Sequence, residues 1–83
     1  MRLDKFLKVS RLIKRRTVAN EACDAGRVEI NKKTAKAGSE VRVGDEITIH
    51  FGEKEVRVEV LAVEDNVRKE AAREMVRYLD DAR

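Results

Sequence analysis

Proline and tryptophan are absent from this 83-residue chain, cysteine and histidine occur once each, and Phe6, Phe51 and Tyr78 are its only aromatic side chains. Each shortage excludes a class of function. A lone Cys23 forms no internal disulfide, and with His50 as its only imidazole partner it cannot build a multi-thiolate zinc site. Covalent Cys–His catalysis needs a third, orienting group, and neither residue sits in a known local signature. Gly26, Gly38, Gly44 and Gly52 are scattered singly, so no glycine-rich phosphate loop exists. So few rings argue against a base-stacking platform for single strands. No apolar run approaches the ~18 residues of a membrane span, and Arg2, Asp4, Lys5 and Lys8 interrupt any secretory-type leader. The expectation is a soluble, cytoplasmic, non-enzymatic protein with no membrane, cofactor or small-molecule substrate. With no proline to mark a linker, residues 1–83 read as a single domain.

A chain of this length buries only about 60% of its unfolded surface, which leaves no large interior pocket and puts function on the outside. What the sequence has in abundance is charge: 42% of residues, with 19 Lys and Arg against 16 Asp and Glu, a net +3. The charge is segregated. Residues 1–36 carry 11 basic and 4 acidic side chains, net +7, and residues 37–83 carry 8 and 12, net −4. A basic front on an acidic scaffold suits a polyanion, with nucleic acid the first candidate and a membrane surface the second.

Hydrophobic spacing gives the architecture. Leu3, Phe6, Leu7 and Ser10 follow the helical period and predict a helix over 3–9. Val18, Ala19, Ala22 and Cys23 predict a second over about 15–25, with Gly26 placed as its left-handed cap. From there the period becomes two. Val28 and Ile30 face inward, as do Val41, Val43, Ile47, Ile49 and Phe51, and a Gly52–Glu53 turn returns the chain through Val56, Val58 and Val60. Both Phe residues are assigned to the core. Val67, Ala71, Met75, Tyr78, Leu79 and Ala82 predict a C-terminal helix over about 66–82, following an RNA-binding core of about 1–63. The fold class is α+β: two short helices on a small, mostly antiparallel sheet, plus that last helix.

Seven of the first sixteen residues are basic, and Lys14, Arg15 and Arg16 enter the second helix where its macrodipole is already positive. Each cation there costs about 0.3–1 kcal/mol, so stability alone would prefer acids. A rule broken three times in succession is explained if the helix start receives phosphate.

Arg2-Leu3-Asp4-Lys5-Phe6-Leu7, Ser10-Arg11, Arg16-Thr17-Val18-Ala19 and Ala25-Gly26-Arg27-Val28-Glu29-Ile30-Asn31 together resemble the RNA-binding domain family named after ribosomal protein S-four, and Val43-Gly44-Asp45-Glu46-Ile47 fits as well. The resemblance covers about residues 1–50. It implies the αL-type RNA-binding fold, in which two helices pack on a sheet and their basic face grips structured RNA. As a stand-alone form the chain is similar to small bacterial members serving ribosome-associated quality control, and to ribosome-binding heat-shock members. That implies binding to large-subunit rRNA and peptidyl-tRNA alongside the alanine-tailing quality-control factor. The chain departs from the family at Asn31-Lys32, where Asn-Gly is usual. Since Lys tolerates positive φ poorly, a longer turn through Lys32–Lys33 is expected.

Arg2 and Arg16 are the first candidates for RNA contact, at family positions opening the two helices. Lys5, Lys8, Arg11, Lys14 and Arg15 are candidates for phosphate contacts, against a plain solvated basic face. Thr17 either donates to phosphate or caps its helix, and Lys32 and Lys33 either reach phosphates or form an ordinary charged turn. Asp4 reads as a helix-start acid or as an orienting partner for a neighbouring Arg. Two other functions stay open: a DNA-binding helix-turn-helix protein, weakened by Asn20, Glu21 and Asp24 in its second helix, and an accessory subunit of an RNA-modifying enzyme.

Overall fold

Helix α1, Leu3–Val9, forms because Leu3, Phe6 and Leu7 recur at helical spacing and all three are fully buried. It stops at Ser10, after which Arg11 takes a left-handed φ of 64° and donates its N–H to the Lys8 carbonyl at 3.0 Å. Ile13 then folds back, its N–H on the Leu7 carbonyl at 3.0 Å, and is buried. The structure, a computed structural model, describes residues 1–65 and 68–79.

Helix α2, Arg16–Asp24, buries Ala19 and Cys23 and leaves Val18 exposed. Its end is a Schellman motif: Gly26 N–H bonds the Cys23 carbonyl and Arg27 N–H the Ala22 carbonyl, both at 3.0 Å, with Gly26 at φ 75°. The cap expected from Gly26 is therefore present.

The strands are β1 (Val28–Ile30), β2 (Lys33–Thr34), β3 (Glu46–Phe51), β4 (Lys54–Val60) and β5 (Val76–Tyr78). They form one sheet ordered β2-β1-β3-β4-β5, antiparallel at every pairing. Register puts Val28 opposite Ile49, Ile30 opposite Ile47, and Ile47 opposite Val58. One face therefore gathers Val28, Ile47, Ile49, Val58, Val60 and Val76 into a single core with Leu3, Phe6, Leu7 and Ala19. The other face carries charge. Arg57 pairs with Glu46 at 2.9 Å and Arg77 with Glu59 across neighbouring strands, and His50 Nε2 lies within hydrogen-bond reach of Glu29 at 3.0 Å.

Three sequence expectations need correction. The first is the helix over 66–82. Its described part holds only a four-residue helix, α3 (Lys69–Ala72), followed by β5. Val76-Arg77-Tyr78 alternates as readily with period two as with the helical period, and β4 offers an open edge whose backbone groups need partners. The strand satisfies them, and Met75 stays buried with its carbonyl accepting Leu61 N–H at 2.7 Å. Val67 and Ala82 lie outside the described residues. The second concerns Phe51 and Val43, placed inward by alternation but 44% and 61% exposed. Phe51 is the last residue of β3, beside the Gly52–Glu53 turn, and Val43 lies in a turn closed by Asp45 N–H on the Arg42 carbonyl at 3.1 Å, so strand alternation does not reach it.

The third is the turn after β1. Ile30 pairs directly with Lys33, so the loop is only Asn31-Lys32, with φ of 52° and 70°. The longer turn does not form because Asn31 is anchored from outside the hairpin. Its Oδ1 accepts Glu46 N–H at 2.9 Å, its Nδ2 donates to Asp45 at 3.1 Å, and its own N–H donates to the Glu46 carbonyl at 2.7 Å.

Cys23 is buried in this core, as its place on the helical stripe implied. Burial, with Asp4 and Asp24 adding negative charge nearby, pushes its thiol up to about 11. Native protein at pH 8 is expected to react with a thiol reagent far more slowly than denatured protein, and Cys23→Ala to lose only about 1 kcal/mol without weakening RNA binding. Rapid labelling of the native chain together with lost RNA affinity would instead mark a redox-sensing thiol.

Candidate nucleic-acid interface

The centre of the basic front is a carboxylate. Asp4 falls in the first turn of α1 and is only 2% exposed. Arg2 grips it from two residues upstream, Nε to Oδ1 at 3.3 Å and Nη2 to Oδ2 at 3.4 Å. Arg16, the first residue of α2, reaches the same Oδ1 through Nη2 at 3.4 Å. Asn20, one turn further along α2, donates to Oδ2 at 3.3 Å, and Lys5 N–H donates to Oδ1 at 2.7 Å. Burial by itself would raise the Asp4 pKa. The hydrogen bonds from Arg16, Asn20, Arg2 and Lys5 outweigh it and hold the carboxyl below its usual value of 3.8. What this cluster adds to stability is therefore fully present at neutral pH and is lost on acidification through that lowered value.

The two arginines remain about half exposed, with side-chain exposures of 57% for Arg2 and 45% for Arg16. Arg2 also lies against Gly38, whose added Cβ would stand 4.0 Å from the guanidinium carbon. An open groove lined by Asp4, Arg16, Thr17, Asn20 and Glu21 adjoins them. The start of α2 has no side-chain cap and no acid in its first turn, so its positive dipole end adds to the charge of the adjoining basic run. Thr17 does not cap the helix; it lines the groove. Lys14 and Arg15 are exposed immediately before it, and neither pairs with a described acidic residue.

The remaining candidates divide. Lys8 and Arg11 are exposed at the end of α1, without an ion pair to any described residue. Arg11 occupies a left-handed position where glycine would be less strained, which is the kind of local cost that persists at functional sites. Lys5 is drawn off by Asp65 at 3.1 Å. Lys32 borders a groove on the charged face of the sheet with Glu29, Glu46, Thr48, Glu55 and Arg57, and no described contact joins Lys32 or Lys33 to Arg2 and Arg16. Asn20 was missed as a site residue in the sequence. The available signal was a poor helix former one turn after Arg16, on the same helical face.

Among the described residues, no helix is long and apolar enough to cross a membrane, and no three His, Cys, Asp or Glu side chains form a metal-binding group. Residues 1–47 match the S4 domain family. The chain is 61% identical over 72 residues to the RQC P-site tRNA stabilizing factor of Halalkalibacterium halodurans, covering 87% of this chain and 82% of that one. Against the protein of the same name from Bacillus subtilis it is 56% identical over 81 residues, covering 98% and 94%. The solved structure of Vibrio cholerae Heat Shock Protein 15, described as trimeric, superposes with a TM-score of 0.87 at 30% identity, covering 95% of this chain and 81% of that one.

Proposed function

The chain belongs to the S4 domain family and, within it, to the RQC P-site tRNA stabilizing factors, and on that premise we propose that it is a non-catalytic RNA-binding factor of ribosome-associated quality control. It binds large-subunit rRNA and the peptidyl-tRNA in the P site, and so keeps that tRNA in place while the alanine-tailing factor extends a stalled nascent chain. Its place of action is the cytoplasm, with the ribosome. The observation that carries the reading is the full-length match, 56% identity over 98% of this chain to a relative bearing that name. The geometry supports it: two half-exposed guanidiniums, held together on one buried carboxylate beside an uncapped helix start, offer charge-assisted donors to phosphate. With few rings and few base-reading side chains on α2, recognition rests on the shape and phosphates of folded RNA.

Affinity for purified large-subunit rRNA is expected to exceed that for duplex DNA and to fall steeply with salt, since neutralised phosphates release counterions. A salt titration of both nucleic acids measures this, and sedimentation of the chain in a lysate gradient locates it on the subunit. Equal affinity for the two, or an almost flat salt dependence, would favour a DNA-binding helix-turn-helix protein or a bystander charge.

A further inference from the structure

We propose that Asp4 is the positioning residue of the RNA face, holding Arg2 and Arg16 as one preset clamp for a single RNA phosphodiester. The proposal rests on the reading above that these arginines contact RNA. Both reach the same oxygen, Arg2 Nε at 3.3 Å and Arg16 Nη2 at 3.4 Å, so two like charges, one from the residue before α1 and one from the start of α2, are held side by side. Without the carboxylate they would repel, and nothing else described would keep them together, since both are about half exposed. With it the trio carries net +1, which one phosphodiester neutralises. The bonds use Nε and Nη2 of Arg2 and Nη2 of Arg16, leaving Nη1 of each without a described partner.

A helix-start acid would serve α1 equally well on the exposed side. Burying it instead carries a desolvation cost that is offset only by those donors, with Asn20 and the Lys5 N–H completing the shell. Asp4 would touch no RNA. It acts through the arginines, as the partner that removes their freedom before binding.

Asp4→Asn separates this role from simple charge. The substitution makes the basic front one unit more positive, so Coulomb attraction alone would tighten RNA binding. Positioning demands the reverse, a loss of roughly tenfold in affinity for purified large-subunit rRNA, since each arginine retains its charge but loses its alignment. In an Arg16→Ala background the same change has one arginine left to misplace, and its cost falls to about threefold. Asn20→Ala keeps the carboxylate but leaves Oδ2 with Arg2 as its one remaining described donor, loosening the carboxylate, and should cost about threefold in the otherwise unaltered chain. Circular dichroism and thermal melting check that each variant is folded. Unchanged or tighter binding by folded Asp4→Asn overturns the proposal, as does an equal loss in both backgrounds, which is what a structural defect would give. Should Asp4→Asn fail to fold, Asn20→Ala decides, and no effect there overturns it. If Arg16→Ala alone binds as the unaltered chain does, it is the RNA-face reading that fails.

Discussion

Arg16→Ala and, separately, Arg2→Ala are expected to release the chain from large ribosomal subunits while leaving it folded. Charge-assisted hydrogen bonds contribute about 1.5–3 kcal/mol each, so loss of one guanidinium should weaken binding by about 10- to 100-fold. The slope of log affinity against log salt should fall by about one for each phosphate contact removed. Neither side chain belongs to the core. Arg16 opens α2 at its positive pole, so removing it relieves the dipole by up to about 1 kcal/mol, and each single variant leaves one arginine on Asp4. Either change also takes a donor from buried Asp4, so circular dichroism and thermal melting are what separate lost binding from lost stability. Lys at either position should recover part of the affinity, because a point charge cannot reproduce the fork. Gradient profiles, an alanine-tailing reporter and circular dichroism together give the result. Folded variants that still travel with large subunits and tail normally would place the RNA face elsewhere.

The second large effect is structural and has opposite signs at adjacent residues. Asn31→Ala removes two side-chain hydrogen bonds, to Glu46 and Asp45, from a residue held at φ 52°, and is expected to cost about 2–3 kcal/mol. Lys32→Gly, one residue on, relieves a side chain at φ 70° whose charge pairs with no described residue. It should stabilise the hairpin by up to about 1 kcal/mol, the gain in strain exceeding the entropy that glycine adds to the unfolded chain. For a chain of 83 residues, with total stability of order 0.05–0.15 kcal/mol per residue, the first change is a large fraction of the whole. Urea denaturation of the two variants measures both signs. Equal destabilisation by both would mean that the hairpin does not depend on this left-handed pair.

Lys32→Gly gives the Asn-Gly turn that the resemblance to the S4 family implies, and its RNA affinity bears on the sheet-side groove that Lys32 borders. If Lys32 reaches phosphate, the more stable variant binds more weakly. If the lysine is only a turn residue, affinity is unchanged.

The amino-acid sequence by itself determined the two helices, the Gly26 cap, the β3–β4 hairpin and the basic front. Each is written in residues a few positions apart: Leu3, Phe6 and Leu7 along one helical face, Gly26 at the end of α2, Gly52 between two alternating runs. It also carried the family motifs of residues 1–50, including both arginines, and both readings of Asp4, which lies in the first turn of α1 and against Arg2 and Arg16. Tertiary structure alone decided what joins distant segments. Arg16 and Asn20 meet Asp4 across separations of 12 and 16 residues, Asn31 meets Asp45 across 14, and Arg77 meets Glu59 across 18. Val76-Arg77-Tyr78 shows the reason most clearly. Its period suited a helix or a strand, and the open edge of β4 supplied hydrogen bonds that made it a strand. Local spacing encodes which face of an element is apolar. Which buried carboxylate or unpaired edge awaits it depends on contacts that exist only once the helices lie on the sheet.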